Sequence, residues 1–353
     1  MNPIVLVTVV LACFGIIDRV FGKKIKIATA MEQGMAQCGE LLIDICGIYV
    51  VTQNFSSIIT KYGEKIQFYG VDPSTLIACV LASDMGALSL CQSITKNVNY
   101  GTFSGTVIAG TLGGLVSFFI PIYIQTVEDK DRNYMIRGFV YGMLVLPVTI
   151  VISGILWNIS PIKIIVNICP VIILCIVICW FLKKNPDVIL KAFQIFGFIM
   201  RMIIGVTFIW MVVALFFPTN MGLDVSIIKD TIVMVVKMAI SVAGALVAMS
   251  LLRRYGQKIL ISLEKNLKIN EWSILGFLIG MPTGIAILPI YSKMDSKGKI
   301  LNAAFCVSGH YMLGGQMALV AGTVSTKHFL IYLFNKILGA VLAVALALYF
   351  EKS

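Results

Sequence analysis

The stretches PSTLIACVLASDMGALSLCQ (73–92) and WSILGFLIGMPTGIAILPIY (272–291) decide the architecture of this chain. Each is as long and apolar as a membrane-spanning helix, which needs about 20 apolar residues. Each is also interrupted at its centre by glycine and polar residues, the first at 83–86 and the second at 280–284. Irregular backbone at membrane depth is tolerated only where it is buried in protein or lines a cavity. The pattern therefore predicts two special segments inside the membrane.

The composition of the whole chain supports a membrane location. Of its 353 residues, 59% are hydrophobic and 13% are charged, and the mean hydropathy is +0.95. A soluble domain carries about 25% charged residues. Soluble enzymes and nucleic-acid-binding modules are therefore excluded despite the net charge of +11, because an excess of Lys and Arg in so apolar a chain marks cytoplasmic loops. The nine cysteines lie mostly in apolar runs and are predicted to be small buried hydrophobes.

The order of apolar segments predicts an internal repeat. The segments are 3–21, 30–58, 73–95, 102–126, 134–157, 163–182, 190–217, 227–252, 272–292, 299–323 and 327–350. Residues 106–119 resemble residues 305–318, and an interrupted segment precedes each of them. This matching order predicts a first repeat over 1–157, a linking helix within 158–189 and a second repeat over 190–353.

The loop charges favour a topology in which both interrupted segments turn back. Most basic loop residues then share one side, as the positive-inside rule requires. Those on the other side are Lys61, Lys65, Lys96, Lys163, Lys229 and Lys327. If only the first interrupted segment turned back, the bias would be weaker but still allowed. The expected fold is an all-α polytopic membrane protein with two inverted five-segment repeats, a linking helix, and re-entrant or broken-helix hairpins at 73–95 and 272–292. Its N-terminus is expected outside and its C-terminus in the cytoplasm.

Asp84 is the leading candidate for a binding residue. Inverted repeats with broken segments in matching positions indicate a secondary transporter whose site lies near the bilayer midplane. A charged residue at a helix centre costs at least about 2.5–3.5 kcal/mol on insertion scales and is functional by default. Asp84 is expected to hold an ammonium group, with Ser83 and the backbone at Gly86 completing its hydrogen bonds; helix capping is the alternative role. Thr283, at the second interruption, is expected to bind a substrate hydroxyl.

Three further titratable residues are candidates for coupling. Glu40 and Asp44 lie four residues apart and share one face of a helix. Two carboxyl groups this close in a low dielectric do not both ionise unless a cation or donor lies between them. A proton or cation site and a simple packing pair are equally supported. His310 could carry a proton, although a lone His is more often a satisfied core residue. Arg201 and Lys237 either pair with a carboxylate or extend towards the interface.

Four blocks of sequence resemble one family. They are LASDMGALSL (81–90), EDKDRNYMIRG (128–138), KAFQIFGF (191–198) and KMDSKGKILNAAFCVS (293–308). Together they are similar to the EutH-type ethanolamine permeases of bacterial ethanolamine-utilization operons, and the last block is the most specific. The resemblance places Gly315 and Gln316 where the family pattern has an acidic residue and a histidine. It therefore adds Gln316 to the expected substrate-binding residues.

The resemblance implies a permease that imports ethanolamine, or a closely related small amine, across the bacterial inner membrane by alternating access. A channel-like facilitator for small amines, and a transporter of another small polar solute, are the alternatives. An enzyme or assembly protein is disfavoured, because His310 and His328 are far from any nucleophile–base pair or metal-binding set. No cofactor is expected beyond H⁺ or Na⁺ as a coupling ion. The expected partners are ethanolamine and the lipid bilayer, with no nucleic acid, and a homo-oligomer stays open.

Overall fold

The computed structural model describes residues 3–36, 38–63, 70–217 and 222–351, and within them every regular element is helical. Lys65, one of the basic residues used for the topology, lies outside these ranges. The α-helices of the first part are α1 Pro3–Val20, α2 Ala28–Ala36, α3 Cys38–Leu41, α4 Gly47–Asn54, α5 Ser56–Gly63, α6 Pro73–Val80, α7 Ala87–Ile94, α8 Val98–Phe103, α9 Ile120–Thr126 and α10 Asp129–Leu156. They are followed by α11 Pro161–Lys184, α12 Pro186–Phe216, α13 Val225–Tyr255, α14 Gln257–Leu267, α15 Glu271–Gly280, α16 Leu288–Tyr291, α17 Ser296–Gly309, α18 Gly315–Thr323 and α19 Thr326–Phe350.

Seven of the described helical stretches are long and apolar enough to cross a membrane. They are Ala28–Asn54, Val98–Thr126, Asp129–Leu156, Pro161–Lys184, Gln194–Phe216, Val225–Tyr255 and Thr326–Phe350. Hydropathy of this strength over 23 to 31 residues confirms the predicted all-α, multi-pass membrane class. The inverted relation between the two repeats stays a prediction.

Two of these stretches contain wide, π-helical turns. Leu42–Cys46 continues α3 into α4, and Ser104–Gly113 with Leu115–Phe119 continues α8 into α9. The stretch from Val98 to Thr126 is 89% buried over its most apolar window, whereas Gln194–Phe216 is 17% buried. The first is therefore the central helix of the fold and the second a peripheral one. Wide turns of this kind occur frequently at functional sites.

Both interrupted segments are broken where the sequence predicts. In the first, α6 ends at Val80, a single 3₁₀ turn covers Ser83–Met85, and α7 follows. Gly86 has φ +86°, which a side chain rarely adopts, and a Cβ there would lie 2.2 Å from Ile48 Cγ2. In the second, α15 ends at Gly280 and a 3₁₀ turn covers Gly284–Ile287. Within each segment the two arms pack against each other.

A third break lies inside the segment that the sequence presents as one span, 299–323. Helix α17 ends at Gly309 and α18 begins at Gly315, with a turn between them. Tyr311 in this turn has φ +50°, and the N–H of Leu313 donates to the carbonyl of Met281 at 3.1 Å. The turn is therefore stabilised by a tertiary contact with the second interruption. The matching segment 106–119 of the first repeat stays helical, so this sequence similarity does not extend to the same local structure.

Candidate functional site

The breaks in the helices meet around one cavity of about 570 Å³. Its walls come from the wide turn after α3, the first interruption, the end of the central helix, the second interruption, and the turn that leads into α18. The residues that line it are Glu40, Leu41, Ile43, Asp44, Ile45, Ala82, Asp84, Met85, Phe118, Phe119, Ile122, Thr283, Ile285, Ala286, Tyr311, Gly315 and Gln316. Five of the predicted site residues, Glu40, Asp44, Asp84, Thr283 and Gln316, thus lie around the same space.

Asp84 projects from the 3₁₀ turn of the first interruption and is half-buried. One of its carboxylate oxygens, Oδ1, accepts a hydrogen bond from Nε2 of Gln316 at 3.0 Å. This bond joins two residues that the sequence analysis placed at the site for different reasons. A part-exposed carboxylate at the wall of a cavity is suited to bind a cation.

Lys336 belongs to this cluster and was missed by the sequence analysis. Its side chain is completely buried near the middle of α19. Its Nζ donates to Gln316 Oε1 at 3.0 Å, to the carbonyl of His310 at 2.8 Å and to the carbonyl of Gly110. Asp84, Gln316 and Lys336 therefore form a hydrogen-bonded series, called here the Asp84–Gln316–Lys336 chain. The signal was available, because a Lys near the middle of a long apolar helix meets the same criterion that selected Asp84.

Glu40 and Asp44, for which the spacing predicts one helix face, both line the cavity. Asp44 lies on the wide turn Leu42–Cys46 and is half-buried, whereas Glu40 lies on α3 and is exposed. With Asp84 they bring three carboxyl groups to one cavity. Their part in coupling stays a prediction.

Two residues with hydroxyl groups also line the cavity. Thr283 lies at the second interruption, and Tyr311 lies in the turn between α17 and α18. A left-handed aromatic residue such as Tyr311 is unusual, and such residues cluster at functional sites. Tyr311 was also missed, since the segment 299–323 was predicted as one continuous span.

Three predicted site residues lie behind the cavity wall. Ser83 is buried and its Oγ donates to the carbonyl of Thr106 at 3.4 Å. Gly86 supplies the left-handed bend described above. The His310 ring is buried against Phe119, with ring centroids 4.1 Å apart, and its Nδ1 is in hydrogen-bond contact with the carbonyl of Cys306. The structure brings these residues next to the lining without making them part of it.

Arg201 and Lys237 are exposed on α12 and α13 and do not line the cavity. Across the described ranges, no group of three or more His, Cys, Asp or Glu side chains is arranged to hold a metal ion.

A second buried acid–lysine pair lies away from the cavity. Nζ of Lys299 contacts Oδ1 of Asp131 at 2.7 Å, and both side chains are less than 10% exposed. The pair joins α10 to α17, two helices that pack closely. It also links two of the sequence blocks that carry the family resemblance, 128–138 and 293–308. These two blocks are far apart in the sequence and are joined in the structure by one buried ion pair.

The family model described as "Ethanolamine utilisation protein, EutH" matches residues 1–350. The chain is 27% identical over 350 residues to a probable ethanolamine permease EutH of Listeria monocytogenes serotype 1/2a, a match that covers 98% of this chain and 93% of the relative. It is 25% identical over 354 residues to a probable ethanolamine permease EutH of Escherichia coli K12, covering 93% and 86% of the two chains. An uncharacterized protein YxeR of Bacillus subtilis is 25% identical over 355 residues, covering 98% and 94%. No solved structure matches.

These relatives, together with the long apolar helices, indicate a membrane transporter rather than an enzyme.

Proposed function

This chain belongs to the EutH family of ethanolamine utilisation proteins, and from that premise we propose that it is a secondary transporter that imports ethanolamine, or a closely related small amine, across the bacterial inner membrane. The names of its relatives support the substrate class. The cavity supports it independently, because its polar groups match the two ends of an amino alcohol.

The observation that carries the proposal is the meeting of Asp84 and Thr283 in one cavity. Ethanolamine has an ammonium group at one end and a hydroxyl at the other. The ammonium loses hydration as it enters and needs an anionic partner, since an unpaired buried charge is too costly to keep. Asp84 provides the partner, and Thr283 or Tyr311 accepts or donates a hydrogen bond at the hydroxyl end.

Gln316 is proposed to orient the Asp84 carboxylate for binding the amine. Its Nε2 donates to Oδ1 of the carboxylate, and because a carboxylate has about four acceptor sites, it can still accept hydrogen bonds from the amine. The apolar lining, which includes Phe118, Phe119 and Ile122, excludes bulk water from the short carbon chain of the substrate. Because one water occupies about 30 Å³ in the liquid, a cavity of about 570 Å³ has room for the amine and several waters.

Transport by alternating access is proposed from the location of the site. The cavity lies where two interrupted segments, one from each predicted repeat, come together. Sites built from discontinuous helices at a repeat interface are typical of secondary transporters, in which one repeat rocks against the other. Glu40 and Asp44 are proposed to bind the coupling ion, H⁺ or Na⁺.

The test is uptake of labelled ethanolamine into liposomes that contain the purified protein. A secondary transporter gives saturable uptake that accumulates against a gradient when a proton or sodium gradient is imposed. A channel-like facilitator would only equilibrate the solute, and that result would contradict alternating access.

Competing solutes test the chemistry of the cavity. Propylamine lacks the hydroxyl and ethylene glycol lacks the charge, so both should compete poorly with ethanolamine. Choline, serinol and aminopropanol then measure how much bulk the cavity accepts. Equal competition by ethylene glycol would contradict a site built around an ammonium group.

A further inference from the structure

We propose that Lys336 is a positioning residue for the amine site, which it serves by fixing the orientation of the Gln316 amide. The inference rests on the proposed function, because it concerns how Asp84 is prepared for an ammonium group. Lys336 does not line the cavity. Its effect passes through Gln316, which contacts both Lys336 and Asp84.

The chemistry of the Asp84–Gln316–Lys336 chain allows one order of donors and acceptors. A lysine ammonium only donates hydrogen bonds, and an ionised carboxylate only accepts them. An amide has one end of each kind, so its oxygen must face Lys336 and its NH₂ group must face Asp84. The contacts follow this order, with Oε1 at 3.0 Å from Lys336 Nζ and Nε2 at 3.0 Å from Asp84 Oδ1. An amide turned by half a rotation would place acceptor against acceptor at Asp84.

Lys336 is itself held in a fixed position. Its Nζ has three acceptors, as many as an ammonium has N–H groups, and they come from three elements: the wide segment Ser104–Gly113, the residue after α17, and the start of α18. The side chain is completely buried and passes the ring of Tyr332, 5.6 Å from its centroid. Since each N–H is engaged, Lys336 has no alternative partner to adopt without losing one of these bonds.

The consequence is a carboxylate that is held through one oxygen and can still accept hydrogen bonds from a ligand. Gln316 supplies a neutral donor to Oδ1, which keeps the carboxylate oriented without neutralising it. If Lys336 pointed directly at Asp84, its ammonium would occupy the place that the substrate needs. The bridging amide therefore keeps a resident cation close to Asp84 and leaves the carboxylate available for the amine.

The test is a double-mutant cycle on ethanolamine binding with Lys336→Met, Gln316→Met and the double variant. Methionine keeps most of the length and the apolar stem of both side chains but removes the polar ends. Loss of a hydrogen bond to a charged group lowers affinity by about tenfold or more, so each single variant should bind ethanolamine at least about tenfold more weakly. If Lys336 acts through Gln316, the double variant should bind no more weakly than the weaker single variant.

Three results would overturn the inference. Multiplicative effects in the double variant would mean that Lys336 acts independently of Gln316. Unchanged affinity in Lys336→Met would mean that the amide keeps its orientation without it. Tighter binding would mean that Lys336 acts on the amine as a repelling like charge.

Controls separate this inference from loss of fold and from failure of the proposed function. Lys237→Met removes an exposed cation from another long helix and should leave affinity unchanged. If Lys336→Met does not fold, Gln316→Glu keeps Lys336 and replaces the donor to Asp84 with an acceptor. That variant should bind at least about tenfold more weakly, and wild-type affinity in it would overturn the inference.

The variant Asp84→Asn distinguishes failure of the proposed binding site from failure of the proposed role of Lys336. Ethanolamine binding that does not depend on Asp84 would overturn both the proposed site and the role of Lys336. Binding that depends on Asp84 with an additive Lys336–Gln316 cycle would overturn only the role of Lys336.

Discussion

Among the residues that the structure describes, two buried lysines are associated with an aspartate in different ways. Lys299 contacts Asp131 directly at 2.7 Å, with both side chains almost fully buried. Lys336 reaches Asp84 only through the amide of Gln316, and Asp84 is partly exposed at the cavity. The same two residue types therefore form a direct ion pair in one place and an amide-bridged arrangement with an accessible carboxylate in the other.

Because of this difference, a mutation in the direct pair should change the free energy of unfolding. A mutation in the bridged arrangement should change the free energy of ligand binding. Removing one partner of a direct buried ion pair leaves an uncompensated charge, which costs about 3–5 kcal/mol of stability. A carboxylate held by a neutral amide still needs a cation, and an incoming substrate can provide it. Loss of one partner of the direct pair is thus expected to weaken folding, whereas loss of the carboxylate of the bridged one is expected to weaken ligand binding.

The largest expected effect is on the direct pair. Asp131→Asn leaves Lys299 buried without its counter-charge and should lower the free energy of unfolding by about 3–5 kcal/mol. Thermal unfolding of the protein in detergent measures this. The double variant Asp131→Leu with Lys299→Met removes both charges and should recover most of the loss, since apolar replacement of a buried pair is often neutral. No recovery would show that the pair is not the cause.

The next effect is on the bridged pair and should appear in binding rather than folding. Asp84→Asn keeps the size of the side chain but removes its charge, and loss of one partner of a buried charge pair costs about 2–5 kcal/mol. Ethanolamine affinity, measured by calorimetry, should fall by well over tenfold while thermal unfolding changes little. Normal binding would move the amine to Glu40 and Asp44. A folding defect as large as that of Asp131→Asn would remove the distinction between the two pairs.

Thr283→Val should have a smaller effect on ethanolamine affinity than Asp84→Asn. It measures how much the second interruption contributes to this affinity, compared with the first interruption and its charged Asp84. The substitution removes one hydroxyl and keeps the shape, so ethanolamine affinity should fall by about 0.5–1.5 kcal/mol, the net value of a neutral hydrogen bond. Propylamine, which has no hydroxyl, should bind the variant and the wild type equally. A loss for propylamine as large as that for ethanolamine would assign Thr283 to the shape of the cavity.

The smallest effect on affinity is expected from Glu40→Gln combined with Asp44→Asn. If these two residues bind the coupling ion, ethanolamine binding should persist at a saturating ion concentration. The dependence of uptake on pH or on sodium should be lost, because no carboxyl pair is left to bind H⁺ or Na⁺. Uptake into liposomes over a series of pH values and sodium concentrations measures this. An unchanged dependence would assign Glu40 and Asp44 to packing.

Much of the fold could be predicted because it depends on patterns within short stretches of sequence. Long apolar runs predict the spanning helices, and the Gly and Pro residues at 83–86 and 280–284 predict the two interruptions. Asp84 could be selected because a carboxyl group in an apolar segment has few purely structural explanations. Lys336 satisfies the same test and was overlooked among the residues of a long final span.

Other features could not be predicted from local sequence. The break at 310–314 includes a hydrogen bond from the N–H of Leu313 to the carbonyl of Met281, and the two residues are far apart in the sequence. Ser83 precedes Asp84 directly, yet only Asp84 reaches the cavity, because successive side chains of a 3₁₀ turn point in different directions. Tyr311 enters the lining only because the break exists.

The sequence by itself determined that this is an apolar, multi-pass helical protein with two interrupted segments and a carboxyl group at one of them. These properties follow from hydropathy, glycine and proline positions and the cost of charge in a membrane, all of which act over a few neighbouring residues. Only the tertiary structure decided that Glu40, Asp84, Thr283 and Gln316 share one cavity, and that Lys336 is joined to Asp84 through an amide while Lys299 contacts Asp131 directly. The reason is that a hydrogen bond depends on distances of about 3 Å between atoms, and packing of helices that are remote in the sequence sets those distances.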